Sequence, residues 1–590
     1  MKSKSSRVSK PKKMRKSKSN KLFEPYDIST GIHMAMCRDL KPLLHEYDGQ
    51  EHGAAEAVRR QACEFRKKFT WQDTDNDRLE KEAFEKFKSI NLYMRRINRG
   101  DSFPSKDTII RRNVNKMDKI HLRARALVHS VLSPFTEEEW FSACKHSAGS
   151  SLGVPFSDTS LEKKFTFPIS STSRAKLFFE RYLEWDSLLH SSIKDFNGDQ
   201  QVRYSIVEGS RATTVEKDAS KRRFICVEPT ANMFLQQGFM TMMYNRLKRF
   251  DLNVETLPDQ HQKLAYVGSI TGNLSTIDWT SASDCVGIEL LRWLLPHHWF
   301  EGLYSVRCDY TTISGELTEL HMFSSMGNAG TFPLETLVFW AYAHACLLTE
   351  KGTNSLFPEW KDLKSCSVFG DDCIVPDSIT SLFIDVMESV GFIVNSEKSH
   401  FGSDRFRESC GGDYLAGYPT RPYSLRAPSG NRISDLESWL YIITNSLLKK
   451  YILYFGERDY VYDRQVFRLI FRYFRWYKLK IKFVPPDFPD DSGIQGFDLG
   501  RLILAYNLDF EAIDSDIHGT KSFLYKRYRY WKRSKKDAGI RYADWLKRPS
   551  QQMRKPDPWS SIRRRGGYVV ARTTSCHWHI ADHGLIRQAL

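Results

Sequence analysis

Two adjacent aspartates, Asp371 and Asp372, lie between short apolar runs in the segment Ser367–Val375 (SVFGDDCIV). Carboxylates this close repel each other, and apolar flanks tend to strip them of water. A hairpin turn at Gly370 can point both side chains into one cleft, where a divalent cation would offset the repulsion. The segment therefore predicts a metal site, and the alternative interpretation is a solvated turn between two strands.

Asp278 would supply a third carboxylate, because it ends another apolar run, Leu274–Asp278 (LSTID). If this strand packs beside the hairpin, the three acids converge, and oxygen-only ligands of this kind suit Mg²⁺, with Mn²⁺ as the alternative ion. Two such ions about 4 Å apart can activate an attacking hydroxyl and stabilise a leaving pyrophosphate. We therefore predict that Asp278, Asp371 and Asp372 are catalytic and hold two Mg²⁺ ions.

Five further residues near these acids could recognise a sugar or a nucleic-acid backbone. Asp284 follows the first aspartate by six positions, so we expect it at the start of a helix, where it could accept a hydrogen bond from a ribose 2′-OH. The alternative for Asp284 is an acid favoured by the helix dipole. Asn328 can donate to and accept from the same hydroxyl. Ser325, Gly327 and Thr331 lie in a small-residue loop that could cradle a template backbone, or could simply cap a helix.

Three basic residues could interact with phosphate groups. Lys217 and Arg223 belong to the run KDASKRRFICVEP, residues 217–229, and could neutralise an incoming triphosphate. Lys398, in the segment GFIVNSEKS, could protonate a pyrophosphate leaving group as a general acid. The alternatives are a solvated run of charge and a single surface lysine.

The elements that must position these residues follow from the hydrophobic pattern. Leu274–Asp278 and Ser367–Val375 are β-prone runs, and between them Leu334–Leu347 is apolar and long enough for a buried helix. Strands that alternate with such helices predict an α+β core. Two amphipathic helices are also predicted, over Leu79–Arg99 and over Val466–Lys480.

The composition indicates a large folded protein with a polyanionic partner. The chain has 590 residues, 41% of them hydrophobic, which predicts several domains rather than a disordered chain. The formal net charge of +17 favours a nucleic acid as the partner, and a basic protein without that role is the alternative. The eleven cysteines include no CxxC pair, which is typical of a reduced protein. No run of about 18 apolar residues is present, so no membrane association is predicted.

Both ends of the chain carry less specific signals. Residues 1–21 are basic and lack acids, which predicts a disordered tail with nonspecific attraction for phosphate. Tyr525–Arg533 interleaves aromatic and basic residues and could stack bases, or it could form a helix that packs its aromatics inward. Near the C-terminus, one cysteine and three histidines have a spacing that fits no standard zinc finger, so a metal there is a minor alternative. These residues are Cys576, His577, His579 and His583.

Taken in order, these segments resemble the motifs of palm-type viral RNA polymerases, in particular the replicase catalytic (beta) subunit of the small single-stranded RNA bacteriophages, the leviviruses. The resemblance extends from about Lys217 to Arg426 and is weak on either side. Two positions depart from the commoner viral pattern, because Met326-Gly327 stands where Ser-Gly is usual and Glu335 stands where Asn is usual. The segments that carry the resemblance are 217–229, Asp278–Asp284, Ser325–Glu335, Gly370–Asp372, 391–399 and Phe406–Gly411.

The resemblance implies a right-hand polymerase fold with fingers, palm and thumb, and primer-independent copying of phage RNA in the cytoplasm of an infected bacterium. On this basis residues 22–265 are mainly fingers, 266–426 are palm, and 427–590 are thumb with a basic aromatic C-terminal region. The implied ligands are single-stranded RNA and nucleoside triphosphates. The implied partners are the host elongation factors EF-Tu and EF-Ts and a host ribosomal RNA-binding protein.

Two other functions stay open at this point. A reverse transcriptase shares the palm and the three acids, but it usually carries a bulky residue where this chain has Asp284, and an acid there favours ribonucleotides. A non-catalytic RNA-binding protein with a degenerate polymerase fold is disfavoured by the intact carboxylates. The predicted function is therefore that of an RNA-directed RNA polymerase, a nucleotidyltransferase that replicates a phage genome.

Overall fold

The computed structural model describes most of the chain between Leu22 and Gln495 and three strands beyond it. The described residues are 22–71, 75–100, 103–104, 114–146, 149–154, 164–165, 168–197, 201–353, 355, 364–456, 463–479, 481, 483–484, 489–495, 512–515, 523–533 and 568–575. They fall into two compact units, of which the larger takes residues 40–424 and the smaller combines residues 22–39, 425–533 and 568–575. The predicted basic tail and the Cys576 cluster lie outside the described residues.

Helices make up much of the larger unit, and their apolar faces are buried. Helix α3 confirms the amphipathic helix predicted over Leu79–Arg99, because it buries Leu79, Phe87, Ile90 and Met94 and exposes most of its charged residues. The helices that begin before residue 425 are α1 (Pro25–Glu46), α2 (Gly53–Glu64), α3 (Asn76–Ile97), α4 (Lys116–Leu132), α5 (Glu137–Ala143), α6 (Ser173–Trp185), α7 (Ser187–Asn197), α8 (Thr230–Leu247), α9 (Leu257–Thr271), α10 (Ile288–Leu294), α11 (His297–Val306), α12 (Thr331–Glu350) and α13 (Thr380–Ser389).

Small sheets lie among these helices. One sheet has the strand order β5-β9-β8, a second has the order β4-β3-β6-β7, a third has the order β10-β11-β12, and β1 pairs with β2. The mixture of helices and small sheets matches the predicted α+β class, whereas the division into fingers, palm and thumb stays a prediction. The strands are β1 (Ile169–Ser171), β2 (Tyr204–Ile206), β3 (Gly209–Glu216), β4 (Arg222–Val227), β5 (Leu274–Ile277), β6 (Tyr310–Ile313), β7 (Glu316–Glu319), β8 (Ser367–Phe369), β9 (Asp372–Pro376), β10 (Phe406–Ser409), β11 (Gly412–Leu415) and β12 (Tyr418–Pro419).

Helix α12 runs through the centre of the core, as the apolar run Leu334–Leu347 predicts. Every residue from Pro333 to Leu348 is buried, and the helix packs along α4 and against β8. Trp279, which follows β5, stacks on Phe339 of α12 with ring centroids 5.2 Å apart. The helix is therefore a rigid support for the strands that end in the predicted acids.

The smaller unit is built on α14 (Ile433–Phe455) and α15 (Gln465–Trp476). Helix α15 confirms the second amphipathic prediction, because Phe467, Ile470, Phe471 and Phe474 are buried. Asp39 caps its first turn by accepting hydrogen bonds from the backbone N–H groups of the first two helical residues at 2.9 Å and 3.0 Å.

The segment Tyr525–Arg533 forms a strand rather than a helix. It lies in β16 (Phe523–Arg533), which pairs antiparallel with β15 (Ala512–Ser515) and β17 (Tyr568–Ser575). The helical alternative for this segment is therefore wrong, because the ladder to β17 uses its backbone hydrogen-bonding groups. Two short strands, β13 (Phe483–Val484) and β14 (Ile494–Gln495), complete the unit.

None of the helices within the described ranges combines the length and the apolar character needed to cross a bilayer.

Candidate active site

The acidic hairpin turns at Gly370, as the sequence predicts. Strands β8 and β9 pair up to Phe369 and Asp372, so Gly370 and Asp371 form a two-residue loop. Gly370 has φ +63° at the first loop position, which is the sign that a type II′ turn requires there. A Cβ at this position would collide with the ring of Phe332. Both the backbone angle and the packing therefore require glycine.

The pairing of β5 with β9 brings Asp278 to this hairpin. Ile277 is the last paired residue of β5 and lies opposite Cys373, so the next position along the two strands sets Asp278 opposite Asp372. Asn395 holds Asp278 in place, because its Nδ2 donates to Oδ2 at 2.7 Å and its backbone N–H donates to the Asp278 carbonyl at 2.9 Å. The three predicted carboxylates thus lie at neighbouring strand ends.

The three carboxylates are half-buried, and the charges of neighbouring acids oppose the ionisation of Asp371 and Asp372. Burial, and next the charge of Asp278, raise the pKa of Asp371 above its ordinary value. Burial, and next the charge of Asp371, raise the pKa of Asp372 to about 6. Added positive charge stabilises desolvated acids that disfavour each other's charged form. The cleft therefore has the electrostatic character of a cation site.

The donor set fits a hard divalent cation, although its oxygens are not gathered around one point. Within the described part of the chain, no group of three His, Cys, Asp or Glu side chains is close enough to hold a metal ion. Asp278 Oδ2 is engaged by Asn395 and lies 3.7 Å from Lys398 Nζ, and Asp372 Oδ2 accepts from Cys410. The donors are all carboxylate oxygens, which is the chemistry that Mg²⁺ prefers.

Asp284 does not begin a helix, contrary to the prediction. It ends a short 3-10 turn, Ala282–Asp284, and α10 begins only at Ile288, with Gly287 as its N-cap. Ser325 hydrogen-bonds its carboxylate, while Oδ1 is enclosed and has no hydrogen-bond partner among the described residues. Burial raises the pKa of Asp284 to about 7. An enclosed carboxyl oxygen without a partner suits a group that binds a polar ligand.

Glu335 is a fifth acid beside the site, and it is not among the predicted site residues. It lies in the second turn of α12 with an exposed fraction of 2%, and its Oε1 has no hydrogen-bond partner among the described residues. Burial, and next the charge of Asp371, raise its pKa well above the ordinary value. Ser283 hydrogen-bonds the carboxyl group. An isolated acid within an apolar helical run was the signal that could have identified it.

Ser325 and Thr331, both predicted to bind RNA, are buried and have partners inside the protein. Thr331 is 4% exposed, and its hydroxyl donates to the Ser325 carbonyl at 3.0 Å and lies 2.9 Å from Ser324 Oγ, whose hydroxyl can donate to it. Ser325 is 3% exposed and contacts Asp284 as well as the Cys226 thiol, with 3.4 Å between Oγ and Sγ. These side chains therefore pack inside the protein beside Asp284 and are not exposed for contact with RNA.

Gly327 and Asn328 lie at the more exposed part of the same loop. Gly327 has φ +121°, and a Cβ would collide with the carbonyl of Cys226, because that residue's N–H bonds the Met326 carbonyl at 2.8 Å. Asn328 is half-buried, and its Oδ1 accepts from the Gly330 N–H at 2.8 Å. The loop is therefore fixed against β4 at Gly327.

Basic side chains lie within electrostatic reach of the acids. The charges of Arg223 and Lys398 favour the ionised form of Asp371. Loss of solvation, and next the charge of Lys398, lower the pKa of Lys217. Lys86 of α3, which the sequence analysis did not single out, contributes to the same effect on Lys217. The three predicted cations are thus brought together with the three predicted acids.

Arg222 differs in its contacts from its neighbour Arg223, which is the one of the two predicted to interact with phosphate. Its Nε donates to Thr214 Oγ1 at 2.7 Å and its Nη1 donates to Asn76 Oδ1 at 2.7 Å. Arg222 therefore braces β4 against β3 and the start of α3, while Arg223 is exposed. Alternation along a strand explains why adjacent arginines have different environments.

Comparison with known proteins is informative for this chain. A family model described as RNA replicase, beta-chain, matches residues 8–581. The RNA-directed RNA polymerase beta chain of Enterobacteria phage GA is 33% identical over 307 residues, which are 52% of this chain and 55% of the relative. The corresponding protein of Enterobacteria phage fr is 32% identical over 332 residues, or 55% of this chain and 56% of the relative.

A third relative is more distant but consistent with these. The RNA-directed RNA polymerase subunit beta of Escherichia virus Qbeta is 31% identical over 314 residues, which are 52% of this chain and 49% of the relative. The chain spans about half the length of the curated relatives it matches. The family model, by contrast, covers almost all of it. This chain belongs to the RNA replicase beta-chain family.

Proposed function

We propose that this chain synthesises RNA on an RNA template by nucleotidyl transfer with two divalent cations. The observation that carries the proposal is the β5–β9 register, which sets Asp278 opposite Asp372 beside the hairpin residue Asp371. Relatives named RNA-directed RNA polymerase beta chain support the same class of reaction. The substrates would be single-stranded RNA and nucleoside triphosphates, and synthesis would start without a primer.

The side chains of the cleft divide the chemistry between them. Asp278, Asp371 and Asp372 would hold Mg²⁺, which when bound supplies charge that activates a hydroxyl nucleophile and stabilises the leaving pyrophosphate. Lys398, whose Nζ lies 3.7 Å from Asp278 Oδ2, would donate a proton to the pyrophosphate. Arg223 would attract the triphosphate.

Recognition of ribose would fall to Asp284 and Asn328. The enclosed Asp284 Oδ1 has no protein partner among the described residues, so a 2′-OH that reached it would satisfy a buried acceptor. Ser325 and Thr331 act through Asp284 in this proposal, because their hydroxyl groups are engaged inside the protein. Gly327 keeps the role predicted for it, close approach of the template backbone.

The direct experiment is RNA synthesis by the purified chain on a single-stranded RNA template, with labelled nucleoside triphosphates and no primer. We expect full-length product with Mg²⁺, none with EDTA, and strong preference for ribonucleotides over deoxynucleotides. Preference for deoxynucleotides would show a reverse transcriptase instead. RNA binding without synthesis under any divalent cation, with and without host extract, would show a non-catalytic RNA-binding protein.

The host partners and the setting are proposed by resemblance alone. They are the elongation factors EF-Tu and EF-Ts, a ribosomal RNA-binding protein, and the cytoplasm of an infected bacterium. Adding each purified host protein to the same assay tests the partners, and a gain in full-length product is the expected result. An unchanged yield with every host protein would contradict them.

A further inference from the structure

The tip of the β10–β11 hairpin reaches the second aspartate of the acidic hairpin. Ser409 and Gly412 close the ladder, so Cys410 and Gly411 form a two-residue loop. Both loop residues have positive φ, +46° and +82°, which is the pattern of a type I′ turn. The residue usually found at the first position of such a turn is asparagine, aspartate or glycine, so cysteine is an unusual choice.

The left-handed conformation of Cys410 has to be offset by a favourable contact. A non-glycine residue in this region costs on the order of 1–2 kcal/mol. Residues held in that way concentrate at sites of function, where the surrounding structure fixes them. The contacts of Cys410 therefore show which interaction its left-handed conformation makes possible.

Two donors of Cys410 meet a single carboxylate oxygen of Asp372. The backbone N–H lies 3.1 Å and the Sγ atom 3.2 Å from Asp372 Oδ2. The turn directs both groups to the same side, and together they orient a carboxylate that stands beside Asp371. Oδ1 of Asp372 lacks these two donors and is the oxygen available to a cation.

Helix α9 holds Cys410 from the opposite direction. Gln262 Nε2 donates to the Cys410 carbonyl at 3.1 Å. His261 Nδ1 lies 2.8 Å from Ser409 Oγ, and both residues are buried. Ser409 in turn hydrogen-bonds the Cys410 thiol. A continuous chain of contacts thus runs from α9 through the hairpin tip to Asp372.

We infer that Cys410 is a positioning residue that orients Asp372 for cation binding, through its thiol and its backbone N–H. The inference rests on the proposed function, since it concerns the same carboxylates. It assigns a role in the cation site to the β10–β11 hairpin, which carries none of the predicted acids. Outer contacts of this kind typically change metal affinity by about 10- to 100-fold when they are lost.

The test compares Cys410→Ala, Cys410→Ser and, as the matched control, Cys63→Ala, which removes an exposed thiol of α2. Binding of Mn²⁺ is measured by electron paramagnetic resonance without RNA, and thermal unfolding is recorded for each variant. Because the backbone N–H persists, we expect Cys410→Ala to weaken Mn²⁺ binding about 5- to 20-fold. Serine keeps a donor at the same position, so Cys410→Ser should bind Mn²⁺ within about 2-fold of the original chain.

A second readout separates positioning from general loss of structure. The Mg²⁺ concentration that gives half-maximal RNA synthesis should rise for Cys410→Ala, while the KM for nucleoside triphosphate and the unfolding temperature stay close to those of Cys63→Ala. Unchanged Mn²⁺ binding by a folded Cys410→Ala variant, or failure of Cys410→Ser to restore it, would overturn the inference. If the unaltered chain binds Mn²⁺ but makes no RNA, the proposed function fails and the positioning role stands.

Discussion

Helix α12 and the acidic hairpin of β8 and β9 pack in one core, yet α12 places mostly apolar side chains there and the hairpin places two aspartates. The helix buries an almost continuous apolar run from Pro333 to Leu348, so its sequence and its environment agree. The hairpin holds Asp371 and Asp372 half-buried next to Asp278, and loss of solvation raises the pKa of the first two. The difference indicates that the side chains of α12 increase the free energy of unfolding, whereas the acids of the hairpin decrease it.

The largest effect that this comparison predicts is on synthesis. Asp371→Asn removes one of the carboxylates proposed to hold cations, so RNA synthesis should fall by at least about 10³-fold. The same change relieves repulsion between buried carboxylates, so the free energy of unfolding should stay level or increase. Primer-free synthesis and thermal unfolding measure the two effects. Loss of stability together with loss of synthesis would mean that Asp371 serves the fold.

The converse change lies in the helix. Trp340 of α12 is fully buried, so Trp340→Ala should lower the free energy of unfolding by about 3–5 kcal/mol through lost burial and a cavity. Denaturant unfolding measures it. Trp476 of α15 is 73% exposed, and Trp476→Ala is the matched control, with an expected change within about 0.5 kcal/mol. Equal effects of the two substitutions would break the assignment of stability to α12.

Asp284 should make the free energy of unfolding depend on pH, because its carboxyl group is desolvated in the folded state. Its folded-state pKa is about 7 against an ordinary value of 3.8, so the folded state keeps a proton that the unfolded chain releases. Stability from this group is therefore present at low pH and is lost as the pH rises from about 4 to about 7. Asp284→Asn removes that loss and should raise stability at about pH 8 by up to about 4 kcal/mol in EDTA.

The same variant should lose discrimination between ribose and deoxyribose, because an amide presents one acceptor where the carboxylate presents two. Unfolding temperatures across the pH range, with Asp251→Asn at an intermediately exposed aspartate as control, test the stability. A pH profile of Asp284→Asn that parallels the original would contradict the burial of this carboxyl. An unchanged preference for ribonucleotides over deoxynucleotides would contradict the proposed role of Asp284 in recognising ribose.

The smallest effect concerns the adjacent arginines of β4. Arg223 is exposed and acts on the charge of Asp371, so Arg223→Ala should raise the KM for nucleoside triphosphate about 10-fold with little change in stability. Arg222 is bonded to Thr214 and Asn76, so Arg222→Ala should lower stability by about 1–2 kcal/mol instead. Steady-state kinetics and denaturant unfolding of both variants measure these effects. A raised KM for Arg222→Ala together with lowered stability for Arg223→Ala would contradict the two assignments.

The sequence predicted the parts of the fold where pattern and environment agree. The amphipathic helices α3 and α15 follow from periodicity, because a buried face must be apolar, and α12 follows from the length of its apolar run. The acidic hairpin followed from a glycine between β-prone runs. The strand β16 was less accessible to this reasoning, since alternating aromatic and basic residues fit either a strand or a helix until pairing partners are known.

The residues of the candidate site could be predicted where an acid interrupts an apolar run. They could not be predicted where they act through contacts between segments that are distant in sequence. Asn395 and Cys410 touch Asp278 and Asp372 from segments distant in sequence, and single-chain patterns carry no record of such pairs. Asp284 was predicted at a helix start because it lies six positions after Asp278, which ends the preceding strand. Helix α10 instead begins at Ile288, with Gly287 as its N-cap. The burial of Ser325 likewise depends on packing against β4.

The central claim is that Asp278, Asp371 and Asp372 hold divalent cations together. Anomalous diffraction from crystals of the chain soaked in Mn²⁺ and a nucleoside triphosphate tests it most directly. Anomalous peaks are expected about 2.0–2.3 Å from oxygens of Asp278 and of the Asp371–Asp372 hairpin. Mn²⁺ bound elsewhere, with no peak between β5 and the hairpin while nucleotide occupies the cleft, would contradict it.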